Sequence, residues 1–197
     1  MNDFISIFAL DVSSTEKSSQ NDWLNKGKEL LELEEYVKAY ECFSNELKIN
    51  TRNLEALLYV SMVLFKLDRH DEALSYINKA LELDPLKAKM WTFKGLVLPE
   101  LNRCEEAIKC FQKSLELDPV DIFPMISCAR LLFHLDRYEE AISYYDKALE
   151  IDPKNEDAWY EKGRSMSYLL VLKENTQNNS SKEHSFSSIN KGNYSAY

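Results

Sequence analysis

Ala80-Leu81-Glu82-Leu83-Asp84-Pro85, Ser114-Leu115-Glu116-Leu117-Asp118-Pro119 and Ala148-Leu149-Glu150-Ile151-Asp152-Pro153 are three versions of one phrase, and their prolines stand 34 residues apart both times. Self-similarity at a fixed period of this size marks an array of stacked supersecondary units. With each proline at position 32 of a unit, the chain divides into repeats 20–53, 54–87, 88–121 and 122–155, followed by half a unit from Glu156.

Working outward from the prolines, position 20 is always alanine (Ala39, Ala73, Ala107, Ala141) and position 24 is always bulky (Phe43, Ile77, Phe111, Tyr145). A small residue facing a large one lets two helix backbones approach and interlock. Position 4 holds Trp23, Leu57, Trp91, Met125 and Trp159, and position 11 holds Leu30, Leu64, Leu98, Leu132 and Met166, the spacing of one helical stripe. Each unit therefore predicts two amphipathic helices, with acidic residues such as Glu139 and Glu140 favouring the positive N-terminal end of the second. Proline then ends the pair, because it cannot continue the hydrogen-bond ladder. Pro99 falls inside a first helix, at position 12, and predicts that this helix ends early into its turn.

Composition agrees with an all-α reading. Only 4 glycines and 5 prolines occur among 197 residues, little raw material for turn-rich β architectures or glycine-rich phosphate loops. A net charge of −9 opposes nonspecific attraction to nucleic acid or to an anionic membrane. Cys42, Cys104, Cys110 and Cys128 lack C-x-x-C spacing, and His70, His134 and His184 are far apart, so neither a metal site nor a disulfide framework is expected, and no cofactor. The cysteines read as buried, inert thiols. The apolar stretch Phe4 to Leu10 is too short for a secretory signal and has no basic lead, and no window reaches membrane-spanning length; a cytoplasmic location is expected.

Trp91, Lys94, Gly95, Leu98, Ala107, Phe111 and Pro119 together meet the pattern W-x-x-(L/K)-G-x-x-(L/Y)…A-x-x-x-F…P, and on these residues the chain resembles a tetratricopeptide-repeat (TPR) protein over roughly residues 20 to 166. The resemblance implies a right-handed superhelical α-solenoid with a concave groove lined by the first helices. Departures are Ser61 in repeat 2 and Cys128-Ala129 in repeat 4 in place of the small glycine, and Thr51 in place of the first proline. Trp-x-x-Lys-Gly recurs at Trp23, Trp91 and Trp159, and Leu-Phe-x-Leu-Asp-Arg at Leu64 and Leu132, so a pair of repeats is the apparent unit of duplication. Residues 1–19 form an extension ahead of the array at 20–172, and the Asn- and Ser-rich segment 173–197 is expected to be disordered.

At about 100° per residue, positions 2, 5, 6, 9, 12 and 13 share the face of each first helix that the hairpin does not use. The resemblance places that face in the groove. It carries Leu58, Tyr59, Met62, Phe65, Phe93, Leu96, Phe123, Ile126, Arg130 and Phe133 as candidate contacts for a partner. Each of them has an alternative, which is to pack on the next repeat as inner-surface residues of solenoids commonly do. The carboxylate clamp known in this family would need Lys and Asn at set groove positions; repeats 1 to 3 offer Leu24, Lys28, Tyr59, Lys89 and Phe93, and the clamp is absent. Trp23, Trp91 and Trp159 lie on the packing stripe and read as core. The expected function is a non-catalytic protein-interaction scaffold that takes an apolar or amphipathic segment of a protein partner, since no nucleophile, base and oxyanion set is present. A second expectation is self-association: the half-repeat ends in Tyr168-Leu169-Leu170-Val171-Leu172, and Leu169 and Leu172 are the candidate contacts of a weak homodimer.

Overall fold

The computed structural model describes residues 22–192, with side chains to residue 176. The helices are α1 (Trp23–Glu32), α2 (Tyr36–Ile49), α3 (Leu54–Lys66), α4 (His70–Leu83), α5 (Ala88–Val97), α6 (Cys104–Leu117), α7 (Ile122–His134), α8 (Tyr138–Ile151) and α9 (Glu156–Gly192). No strand occurs among the described residues, and no helix there is long and apolar enough to cross a membrane. The chain forms two compact units, residues up to Pro124 and residues from Met125 onward, and the boundary falls inside α7. In the first unit, α1 through α6 pack each on the next in chain order; in the second, α9 packs on α8.

Caps set the helix starts. The Asp22 carboxylate accepts from the Asn25 N–H at 3.1 Å, the Asn53 side chain accepts from the N–H groups of Glu55 and Ala56, both at 3.1 Å, and Asn155 accepts from Ala158 N–H at 2.9 Å. First helices end on a left-handed residue that is never glycine: Glu34, Asp68, Asn102 and Asp136, with φ of 57 to 59° and a spacing of 34. At the last of these the Arg137 N–H donates to Leu132 O at 2.9 Å and the Asp136 N–H to Phe133 O at 3.1 Å, the paired bonds that close a helix C-terminus. α5 stops at Val97, and Leu98–Leu101, with Pro99 inside, form a single tight 3₁₀ turn, as the proline predicts.

Packing follows the repeat. Ala39, Ala73, Ala107 and Ala141 are wholly buried, as are Phe43, Ile77, Phe111 and Tyr145. A methyl group on Gly27 would lie 2.5 Å from the Phe43 ring, and one on Gly95 would lie 2.7 Å from Phe111, so glycine at position 8 is what admits the aromatic at position 24. One expectation needs correction. Trp159, expected in the core, is 54% exposed, because no second helix comes after it to cover it among the described residues. α9 runs on to Gly192, and neither glycine nor proline interrupts it between Gly163 and Gly192. Residues 1–19 lie outside the described residues.

Candidate functional site

In the first unit α3 and α5 carry Leu58, Tyr59, Met62, Phe65, Phe93 and Leu96 of the expected groove face, and most of these are inside the protein. Tyr59 stacks on Phe43 of α2, centroids 5.0 Å apart and 10° from parallel, and the Lys28 ammonium of α1 lies 5.4 Å from the Tyr59 ring centre. Burial, with Glu55 and Glu32 nearby, pushes the Tyr59 hydroxyl up to about 12. Phe93 is fully buried and meets Phe65 edge-on at 5.9 Å; Phe65 also meets His70 at 5.3 Å. Leu58 and Met62 are 0% and 1% exposed, whereas Phe65, Leu96 and Phe123, at the start of α7, are half-buried. Leu58, Tyr59, Met62 and Phe93, expected as open contacts, therefore stand as core in this structure. For Tyr59 and Phe93 the cause is packing on the neighbouring repeat.

The cations of this unit are engaged as well. Lys28, the lysine that the clamp pattern would call on, sits 2.6 Å from Glu55 Oε1, and this pair joins α1 to the start of α3. Its charge is met within the protein, which leaves a carboxylate ligand little to gain. Behind the hairpins, Tyr40, Ser44, Thr51, Tyr76 and Lys79 line an open cleft of about 570 Å³, at the point where Thr51 replaces the proline of later repeats.

The second unit presents a different surface. Phe133 of α7 is edge-on to Tyr138 at 5.4 Å and to Tyr168 of α9 at 5.3 Å, and the Arg164 guanidinium lies 4.8 Å from its ring centre. The Tyr138 hydroxyl donates to Asp136 Oδ1 at 2.5 Å, a bond that raises its pKa. Arg130 reaches Asp157 at 3.6 Å and Glu161 at 3.7 Å, and Glu161 also accepts from Arg164 at 2.7 Å. Arg130 is exposed, Ile126 is buried, Phe133 is half-buried, and Tyr160 and Tyr168 show more than half of their surface. Tyr160, Glu161, Arg164 and Tyr168 are absent from the groove residues expected on sequence. They hold positions 5, 6, 9 and 13 of the half-repeat, so the same groove rule, carried one helix further, finds them.

α9 also carries an apolar stripe. Trp159, Met166 and Leu170 are each more than half exposed and share one face by their spacing of seven and four. Of the expected dimer contacts, Leu172 is exposed and Leu169 half-buried. Trp159 keeps one bond of its repeat: its indole N–H donates to Pro153 O at 2.9 Å, as that of Trp91 does to Pro85 O at 2.8 Å. Cys42, Cys110 and Cys128 are buried and Cys104 half-buried; burial pushes the Cys128 thiol up to about 12, which makes it a packing group at neutral pH. No three His, Cys, Asp or Glu side chains among the described residues group as a metal site.

Family models described as tetratricopeptide repeat match residues 54–87 and 88–121, both in the register set by the prolines, and one described as TPR repeat matches 129–166, together more than half of the chain. The chain belongs to the tetratricopeptide-repeat family. Its fold class is the all-α solenoid type built from helix-turn-helix units, and the same architecture recurs in solved structures. A crystal structure of MamA protein aligns with TM-score 0.67 at 18% identity, covering 89% of this chain and 94% of that one. MamA 41-end from Desulfovibrio magneticus RS-1 aligns with TM-score 0.63 at 23% identity, over 70% and 79%. YrrB, described as a TPR protein with an unusual peptide-binding site, aligns with TM-score 0.60 at 22% identity, over 76% and 79%. At these identities the likeness is one of fold. No curated protein matches the sequence. TPR units are in general non-catalytic modules of protein interaction, and that coarse role is the one this family membership assigns.

Proposed function

We propose that this TPR chain is a non-catalytic scaffold that binds an amphipathic segment of a protein partner on the aromatic and cationic face shared by α7 and α9. The observation that carries the reading is the pair Tyr160 and Tyr168, exposed beside Arg164 and Arg130 and held by contacts with Phe133 and Glu161. Tyrosine and arginine supply large contact area at low entropic cost, and they dominate protein interfaces for that reason. The half-exposed cations suit a segment that combines apolar and acidic residues. With the clamp residues absent from the expected groove positions, the ligand's C-terminal carboxylate is not required, and the expected cytoplasmic location fits this role.

The test is binding of an array of amphipathic acidic peptides by wild type and by Tyr168→Ala and Arg164→Glu. Truncating an interface aromatic costs about 2 kcal/mol, so each substitution weakens binding about tenfold or more while helicity is kept. Amidating the ligand's C-terminus changes affinity less than about tenfold, or 1.4 kcal/mol. Binding that ignores both substitutions sinks the assignment of this face.

A second reading has its own observation, the stripe Trp159, Met166 and Leu170. In a complete repeat the positions of Trp159 and Met166 face the second helix, and a second copy of the chain would cover this stripe by an isologous contact. Sedimentation across concentration, comparing wild type with Leu170→Glu/Leu172→Glu, decides it; a wild type that stays monomeric well above micromolar overturns it.

A further inference from the structure

The cleft of about 570 Å³ walled by α2 and α4 has a cause in the sequence. Leu57, which lines it, stands where the next repeat has Trp91, and Thr51 stands where that repeat has Pro85. In the next repeat the Trp91 indole N–H donates to Pro85 O at 2.8 Å and ties that corner together. A leucine and a threonine leave the same corner unfilled here. The lining departs from the repeat as well. One unit on, Tyr40, Lys48 and Tyr76 give way to Leu74, Glu82 and Cys110, and Lys113, at the place of Lys79, is held by Glu116 at 2.8 Å.

The two lysines of the cleft meet no carboxylate among the described residues. Lys48 donates to Asn45 Oδ1 at 2.8 Å, and the Lys79 ammonium lies 4.8 Å from the Tyr76 ring centre. Glu72, which acts on Tyr76, is already clasped by Arg69. Two positive charges therefore border a cavity in a chain of net charge −9. Ser44, also in the lining, has its hydroxyl buried without a hydrogen-bond partner among the described residues. Such a group costs free energy until an acceptor reaches it. Burial and the nearby Tyr40 raise the Tyr76 pKa, which keeps that hydroxyl a donor at neutral pH.

We propose that this cleft binds an aryl phosphate, carried by a phosphotyrosine side chain or by a small aromatic phosphate. Its volume falls in the range of about 300–1,000 Å³ usual for small-ligand sites. A phosphate monoester brings up to two negative charges and three acceptor oxygens, a match for two lysines and a set of hydroxyl donors. The rings of Tyr40 and Tyr76, with Leu47 and Leu57, supply apolar walls for an aromatic body. A carboxylate would leave one lysine unmet, and an aliphatic phosphate would leave the rings idle. The site lies in the first unit and shares no residue with the α7–α9 face, so the failure of either assignment leaves the other standing.

The experiment is calorimetric titration of the full chain with phenyl phosphate, phenol and inorganic phosphate. Phenyl phosphate binds at least about tenfold more tightly than either fragment. Equal binding of phenol or of inorganic phosphate, or no binding of phenyl phosphate at millimolar concentration, overturns the proposal. A second arm locates the site. Lys48→Glu, which gives this exposed position the residue of the next repeat, weakens phenyl phosphate at least about tenfold, whereas Lys113→Glu, outside the cleft, leaves it unchanged. Leu57→Trp fills the cleft and abolishes binding with helicity kept by circular dichroism; if that variant unfolds, Lys48→Glu decides. Binding that ignores Lys48→Glu, or that falls equally with Lys113→Glu, overturns the assignment. The peptide Gly-Gly-phosphotyrosine-Gly-Gly separates the two sources. Binding about tenfold tighter than phenyl phosphate supports a protein ligand, and equal binding supports a small aromatic phosphate.

Discussion

Gly95 and Gly163 hold the same place in the repeat, yet a methyl group on the first would strike the Phe111 ring at 2.7 Å, and one on the second would meet nothing within 4 Å. The difference lies in the path of the chain beyond each glycine. After Gly95 the chain turns through Asn102 and lays α6 back, so glycine, alanine and aromatic lock as a unit. After Gly163 it runs on as helix to residue 192, and the face prepared for a second helix stays open, with Trp159 and Met166 on it. One motif is thus structural where its partner helix exists and a bare surface where it does not. The largest expected contrast is therefore in truncation. Phe111→Ala costs about 3–5 kcal/mol, the range for deleting a buried aromatic, and Met166→Ala costs less than about 0.5 kcal/mol, as exposed positions do. Chemical denaturation of both variants checks it; equal losses would mean that α9 is covered.

A smaller contrast isolates the methyl group itself. Gly95→Ala gains helix propensity of about 1 kcal/mol but must move a ring that is 1% exposed, and overpacking of this kind costs about 1–3 kcal/mol, so a net loss is expected. Gly163→Ala has only the gain, so its melting temperature rises. If both substitutions stabilise the chain, Phe111 yields more easily than its burial implies.

The closed half of this comparison is legible in the sequence, because packing by period depends only on residue size at fixed spacing. Alanine at 20, the bulky residue at 24, the proline stop and the early end at Pro99 all come from it. The open half is not. A helical stripe states which residues want cover and not whether cover arrives, so Trp159 reads as core and its neighbours Arg164 and Tyr168 pass unmarked. On α3 and α5 the error runs the other way. Tyr59 and Phe93 sit on the groove side of a helical wheel, but in a stacked array that side also meets the adjacent repeat, and aromatic size carries both inward. The left-handed turn at Glu34, Asp68, Asn102 and Asp136 is hidden for a third reason: no glycine marks it, and Asp and Asn tolerate that conformation through their short polar side chains.

The smallest expected effect concerns the starts of the second helices. Arg69, Arg103 and Arg137 each clasp a glutamate three residues on, Glu72, Glu106 and Glu140, through two bonds of 2.6 to 2.7 Å. The bonds from arginine hold all three carboxyls below their ordinary value of 4.5. A carboxyl whose folded pKa is depressed contributes stability that is fully present above 4.5 and is lost as pH falls through the lower, folded value. Each pair lies at the surface, where solvent and salt screen it, so the shift is worth far less than its bond lengths suggest. The expected result is a melting temperature for Glu72→Gln/Glu106→Gln/Glu140→Gln slightly below wild type at neutral pH, the two curves converging below pH 4.5, and the gap narrowing in molar salt. The half-repeat has no second helix among the described residues and hence no such clasp, so the loss belongs to the closed hairpins. A gap that closes in acid yet survives molar salt would trace to the N-terminal turns of α4, α6 and α8, where the glutamate charge faces the helix dipole; a gap that persists in acid, where glutamate and glutamine are both neutral, would overturn the electrostatic account.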